Sequence, residues 1–229
     1  MGAVTISTTL IAHVRQLYDM ALQDLASGRV VRKGINGYTH RAIPAYIVSV
    51  SSVEAFVNEA FLTEFARVIF KDAPLWSFPV DWLENLELST KLVIIPQLLF
   101  GKSFSRDSQP YQDIILLIKV RNHFVHYKMK HKPPKFLKSL DDRGISLGSP
   151  TGTARADYAW AHKLSCSEGI RWAHNTVCDV VKELASFDPT GKFHKGPFGR
   201  LAQAFSPIPC SYAENWLRNR GLDPHGSNG

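Results

Sequence analysis

A chain of 229 residues, 45% of them apolar and 21% charged, argues against a disordered protein and can bury a sizeable core, as one domain with appendages or two small ones. Its formal net charge of +7 favours an anionic partner such as nucleic acid. Three cysteines (Cys166, Cys178 and Cys210) cannot make a disulfide framework and suit a reducing compartment.

The first residues, MGAVTISTTLIAHVRQ, carry no basic stretch ahead of an apolar one, so no secretory signal is expected and the chain reads as cytoplasmic. Apolar spacings of three and four over 8–27, stopped by Gly28, predict a helix. A polar turn with Gly34, Asn36 and Gly37 follows. The longest periodic segment is 41–70. Serines and Glu54 interrupt its apolar run, AIPAYIVSVSSVEAFV, so it is not expected to span a membrane. DAPLWSFPVDW is too rich in proline for a helix, and Trp76, Phe78 and Trp82 can cover a core edge. Ser89 or Thr90 can cap a helix over 90–100, which Pro96 should kink and Gly101 should end. GKS at 101–103 resembles the end of a phosphate-binding loop, but Pro96 stands where the first glycine belongs and a helix precedes it. Pro110 fits the first turn of a helix running to about Lys130, and Pro133-Pro134 forbids its continuation. Residues 141–156 read as an exposed loop and 157–187 as a last long helix. The remainder is rich in Gly and Pro, with a short helix near 211–219. No alternation marks a strand. The expected fold is all-α: a bundle of four to five helices over 1–187 with an irregular C-terminal extension at 188–229.

Two charged residues fall on apolar faces. On a helical wheel, Ile47, Val50, Val57, Phe61, Phe65 and Val68 form one stripe, with Glu54 and Asn58 in its middle. In the helix after Pro110, Ile114, Leu117, Ile118 and Val125 share a face with Arg121. Buried separately, a carboxylate and a guanidinium would each cost several kcal/mol; paired, the cost is largely offset. Glu54 is therefore expected to approach Arg121, as core architecture or as part of a site.

The adjoining face carries Tyr111, Ile115, Lys119, Asn122 and His126, while His123 points elsewhere as a solvated bystander. Asn122 and His126, four apart, are stacked neighbours. Histidine can take and give a proton near neutral pH, and arginine can stabilise the added charge of a phosphorane-like transition state. Asn122 can orient either. Together they permit RNA cleavage by attack of the 2′-hydroxyl on the adjacent phosphate, which needs no metal. Lys119, Lys128, Lys130, Lys132 and Lys135 surround the motif without a nearby acid, and Phe124, Tyr127 and Phe136 interleave them, as single-stranded RNA binding requires. The competing reading is a solvated helix end whose lysines complement the dipole. Arg121 and His126 point about 140° apart on an ideal helix, and a two-fold dimer at this helix can close that gap.

RNHFVH, late in an all-α chain and followed by Tyr127 and Lys128, resembles the R-x4-6-H signature of the HEPN superfamily (higher eukaryotes and prokaryotes nucleotide-binding domain). The likeness extends to SVEAFVNEAF and STKLVIIPQLLFGK and so covers roughly 41–187 as an arrangement of helices. The resemblance implies a metal-independent endoribonuclease without cofactor, working as a homodimer, often as a toxin or antiviral effector paired with an antitoxin or activating protein. It carries catalytic roles over to Arg121, Asn122 and His126 only; Glu54, Asn58 and Tyr127 are read from their positions as supporting residues beside them. Tyr127 directly follows His126, whereas the toxins of one HEPN branch end in H-x-Y, so tyrosine-based regulation is not carried over. Some HEPN proteins cleave nothing, which leaves a non-catalytic RNA- or protein-binding module as the alternative.

His162/Cys166 and His174/Cys178 are pairs at i,i+4, but they lie about 12 Å apart along one helix and read as packing residues rather than as a zinc site. His123, His126 and His131 lack an accompanying carboxylate. No metal is expected.

Overall fold

The computed structural model describes residues 5–28, 32–33, 36–62, 85–126, 134–147, 159–188 and 202–225. Within them the fold is all-α, and the extended structure is a two-residue antiparallel pair, β1 (Arg32–Lys33) and β2 (Asn36–Gly37).

Helix α1 (Ile6–Ala26) buries Ile11, Val14, Leu17, Tyr18, Ala21, Leu22 and Leu25, the three-four spacing of a one-sided helix. Gly28 follows in the left-handed region at φ 69°, where a side chain would be strained. At the other end Glu59 accepts a hydrogen bond from the Ile6 backbone N–H at 2.8 Å, so a carboxylate from elsewhere in the chain caps the positive end of α1.

Helix α2 (Ala42–Phe56) continues into a π-helical turn, Val57–Leu62. Its core face is Ala42, Ala45, Tyr46, Ser49, Val50, Val53 and Phe56. This differs from the expected stripe: Ile47 and Glu54 lie on the flank. The cause is the small residues, which let neighbouring helices approach closely and so draw Ala and Ser into the core. Ser52 satisfies its buried hydroxyl on the Ser49 carbonyl at 2.7 Å.

Helix α3 (Leu88–Phe100) begins two residues before the expected 90–100, on Glu87, whose carbonyl receives the Thr90 and Lys91 N–H groups; neither Ser89 nor Thr90 caps it. Pro96 lies inside it, and Gly101 ends it at φ 65°. Helix α4 (Gln109–Val125) starts on Ser108 with Pro110 in its first turn, but stops at Val125 rather than near Lys130. A short α5 (Leu137–Asp142) packs beside it, so the expected loop from 141 begins on a helical turn.

The last long helix is two. Helix α6 (Ala159–Leu164) and α7 (Ser167–Ser186) are separated at Ser165–Cys166, where Cys166 is extended and bridges Tyr38, and the Thr39 N–H reaches the Ser165 carbonyl at 2.8 Å. The four long helices α1, α2, α4 and α7 enclose one core, with α2 against α1, α4 and α7, and α7 also against α1 and α4. The C-terminal segment docks on this core. Phe205 and Ile208 are buried, Asn175 bonds both the N–H and the carbonyl of Ile208, and Tyr212 donates to Asp19 from the first turn of α8 (Ser211–Arg218). No helix among the described residues is long and apolar enough to cross a membrane.

Candidate functional site

The buried arc of α4 is Ile114, Leu116, Leu117 and Val120, extended by Phe124, whose ring stacks on Tyr46 at 5.7 Å and 7°. That arc fixes what faces outward. Asn122 and His126 are exposed on the last turn, and the His126 N–H closes the helix on the Asn122 carbonyl at 2.9 Å while its own backbone leaves helical geometry. Val125, expected on the core face, is 49% exposed, because the arc centres on 117, 120 and 124 and leaves 121 and 125 on its shoulder. At ideal helical spacing Arg121 and His126 are about 140° apart, and Arg121 is half-buried while His126 is exposed. Among the described residues, no hydrogen bond links the side chains of Arg121, Asn122 and His126.

The expected Glu54–Arg121 pair does not form. Glu54 is 41% exposed and lies 3.7 Å from Nζ of Lys91, a lysine with no solvent exposure. Lys91 donates to Asn58 Oδ1 at 3.1 Å, and the π-helical turn beginning at Val57 is what places Asn58 there. The buried charge of this layer is thus a cation on α3. Its signal is present in the sequence: Leu88, Lys91, Leu92 and Ile95 follow the i, i+3, i+4, i+7 pattern of a core face, with lysine where an apolar residue belongs.

A cleft of about 320 Å³ opens on the outer face of α4. Tyr111, Gln112, Ile115, Leu116 and Lys119 form its α4 side, Ser139 and Arg143 its opposite side, and Arg106 closes one end. Asp113 holds Arg143 in an ion pair and accepts from Gln109 at 3.0 Å. Arg106 and Lys119 have no ion pair among the described residues. The Nδ1 of His123 lies 2.9 Å from the Lys119 carbonyl, and its ring meets Phe136 edge-on at 4.8 Å. It is a packed histidine joining α4 to α5 rather than a solvated bystander. The cleft is a tertiary assembly, so nothing local in the sequence joins Arg106 and Arg143 to Lys119.

Lys135 is exposed beside α5, whereas Tyr127, Lys128, Lys130 and Lys132 lie outside the described residues. His174 and Cys178 face each other at 3.6 Å, and Cys166 donates to the Ile145 carbonyl at 2.8 Å. Burial pushes both thiols up to about 12 and, with Arg15 adding to it, lowers His174 to about 4. Uncharged and packed, these groups do core work, and no cluster of metal-ligating side chains occurs among the described residues.

Comparison with known proteins gives no match to a family model, a curated protein or a solved structure.

Proposed function

We propose that the chain is a metal-independent endoribonuclease of the HEPN type. In this reading His126 is the general acid or base, Arg121 binds phosphate and Asn122 positions the reacting groups. The observation that carries it is the exposure of Asn122 and His126 on the last turn of α4, on the same face as a cleft lined by Lys119, Arg106 and Arg143. A phosphodiester lying along that face reaches a titratable imidazole and cations together. Arg121 on the shoulder cannot join His126 within one chain, so a homodimer about this helix completes the site; half-exposed Val125 beside the motif suits such a contact. A protein partner that silences or activates the enzyme, as antitoxins do for related toxins, belongs to the same reading.

The test is RNA cleavage in EDTA by wild type and by folded His126→Ala. Products ending in 2′,3′-cyclic phosphate and a rate at least about 100-fold lower in the variant are expected, the usual share of general acid–base catalysis. Cleavage that survives the substitution removes His126 from the mechanism.

A second reading, a non-catalytic RNA- or protein-binding module, is favoured by the same angular separation of Arg121 and His126 and by the absence of any side-chain hydrogen bond between them. Salt-sensitive RNA binding without cleavage is its signature.

A further inference from the structure

Three cations around the cleft, Arg106, Lys119 and Arg143, come from the loop before α4, from α4 and from the end of α5. Two of the three stand outside the basic run at 119–138. The Asp113 ion pair anchors Arg143 at the wall and spends most of its charge. Arg106 and Lys119 remain open. Between them the lining is aromatic and aliphatic: Tyr111, Ile115 and Leu116. Tyr111 is half-buried, with its ring seated on Phe104 at 5.9 Å and Phe104 in turn edge-on to Phe187 at 5.2 Å. The ring is therefore held by the core while its side lines the cleft. A fixed ring flanked by two unpaired cations is the combination that takes an unpaired base and its phosphates. A duplex, whose bases are stacked inside, would use the cations and leave the ring idle.

We propose that this cleft is a subsite for one nucleotide of single-stranded RNA, with Tyr111 and its aliphatic neighbours against the base and Arg106 and Lys119 on the flanking phosphates. This rests on the chain being an RNA-directed protein, the reading given above. Lys119 and His126 are seven residues apart, so they align on one face of α4 about 10 Å from each other. That is roughly three nucleotides at the ~3.4 Å rise of a stacked strand. The subsite thus lies a few nucleotides from the proposed scissile bond and sets which strand, and how much of it, enters.

The experiment is anisotropy titration of a short fluorescein-labelled single-stranded oligoribonucleotide with the full chain carrying His126→Ala, repeated with a labelled RNA duplex and across a salt series. Adding Arg106→Ala and Lys119→Ala is expected to reduce the salt slope by about 1.4, at roughly 0.7 per single-strand contact, and to weaken binding at least about tenfold. Tyr111→Leu, which keeps the packing on Phe104 without the ring, is expected to weaken single-strand binding about tenfold with the salt slope and duplex binding unchanged. Arg218→Ala, an exposed arginine of α8 outside both the cleft and the basic run, serves as the control and leaves both unchanged. Unaltered affinity and slope in the double variant overturn the subsite, and equal losses for duplex and single strand in Tyr111→Leu overturn its role as a base platform. Wild-type cleavage separates the two claims. Binding lost in the double variant while wild type cleaves nothing supports the cleft and removes only the catalytic role of His126. Cleavage with undiminished binding in the double variant overturns the cleft and leaves that role standing.

Discussion

Lys91 and His174 are both buried in the core. Among the described residues Lys91 has one hydrogen-bond acceptor at 3.1 Å and a carboxylate at 3.7 Å that is itself half in water. Removing the acceptor leaves a buried cation poorly paired, whereas removing the cation leaves an exposed acid that water can solvate. Asn58→Leu should therefore lower stability by about 2–3 kcal/mol, the value of a hydrogen bond to a charged group. Lys91→Met should cost less than about 1 kcal/mol or stabilise, as when buried ion pairs become apolar. Urea denaturation of the two variants decides it: if Lys91→Met is the more damaging, the lysine does something besides sit in the core. His174 carries the pH dependence. Burial and Arg15 hold its folded value near 4, below the ordinary 6.5, so the fold keeps the ring neutral and the unfolded chain binds the extra proton. The resulting stability is complete above pH 6.5 and is lost as pH falls towards 4. By pH 5 the loss is about 2 kcal/mol, a difference of 1.36 kcal/mol per unit. Thermal melts at pH 7 and 5 should show this drop in wild type and a much smaller one in His174→Gln.

At the scale of elements, what was legible in the sequence is what short-range chemistry specifies. Pro110 sits in the first turn of α4 and Gly28 and Gly101 end α1 and α3, because a fixed φ and left-handed glycines are local requirements. The end of α4 was not legible: nothing in HYKMK forbids helix, yet the last helical residue is Val125. The break at Ser165–Cys166 was hidden for a similar reason. Helical periodicity runs through it, and what stops it is a tertiary pairing with Tyr38 and Thr39. Gly169 then becomes a packing residue rather than a flexible one. A Cβ there would land on the buried Tyr46 hydroxyl and 3.2 Å from the Leu164 carbonyl, the very acceptor to which that hydroxyl donates at 2.7 Å. Tyr46 has no exposed path by which to withdraw. Gly169→Ala should cost on the order of 3 kcal/mol, overpacking plus a lost buried hydrogen bond, despite alanine's better helix propensity. A gain in melting temperature in this variant would mean that the α6–α7 junction does not close on Tyr46.

At the scale of the molecule, the sequence put Arg121 and Asn122 near the end of the helix after Pro110, where α4 carries them, but could not say what surrounds them, because the neighbours of Lys119 come from residues 106 and 143 and those of Glu54 from residue 91. The separation of Arg121 from His126, by contrast, follows from their spacing alone and constrains how the proposed enzyme can work. At ideal helical spacing the two point about 140° apart, so the proposed dimer takes arginine from one copy and histidine from the other at each site. Two inactive variants, Arg121→Ala and His126→Ala, then complement each other. In a mixed dimer one site receives both substituted residues and the other receives both natural ones. After equal mixing and exchange, half of the dimers are mixed and each carries one intact site, so about a quarter of wild-type activity returns. If arginine and histidine instead act from the same chain, every site in the mixed dimer lacks one of them and no activity returns. The measurement is the cleavage rate of the re-equilibrated mixture against each variant alone, with sedimentation confirming exchange. Recovery near a quarter places the site across two copies of α4, and a flat result confines any catalysis to one chain, where the geometry of α4 leaves Arg121 a supporting role in the core's shoulder rather than at the phosphate.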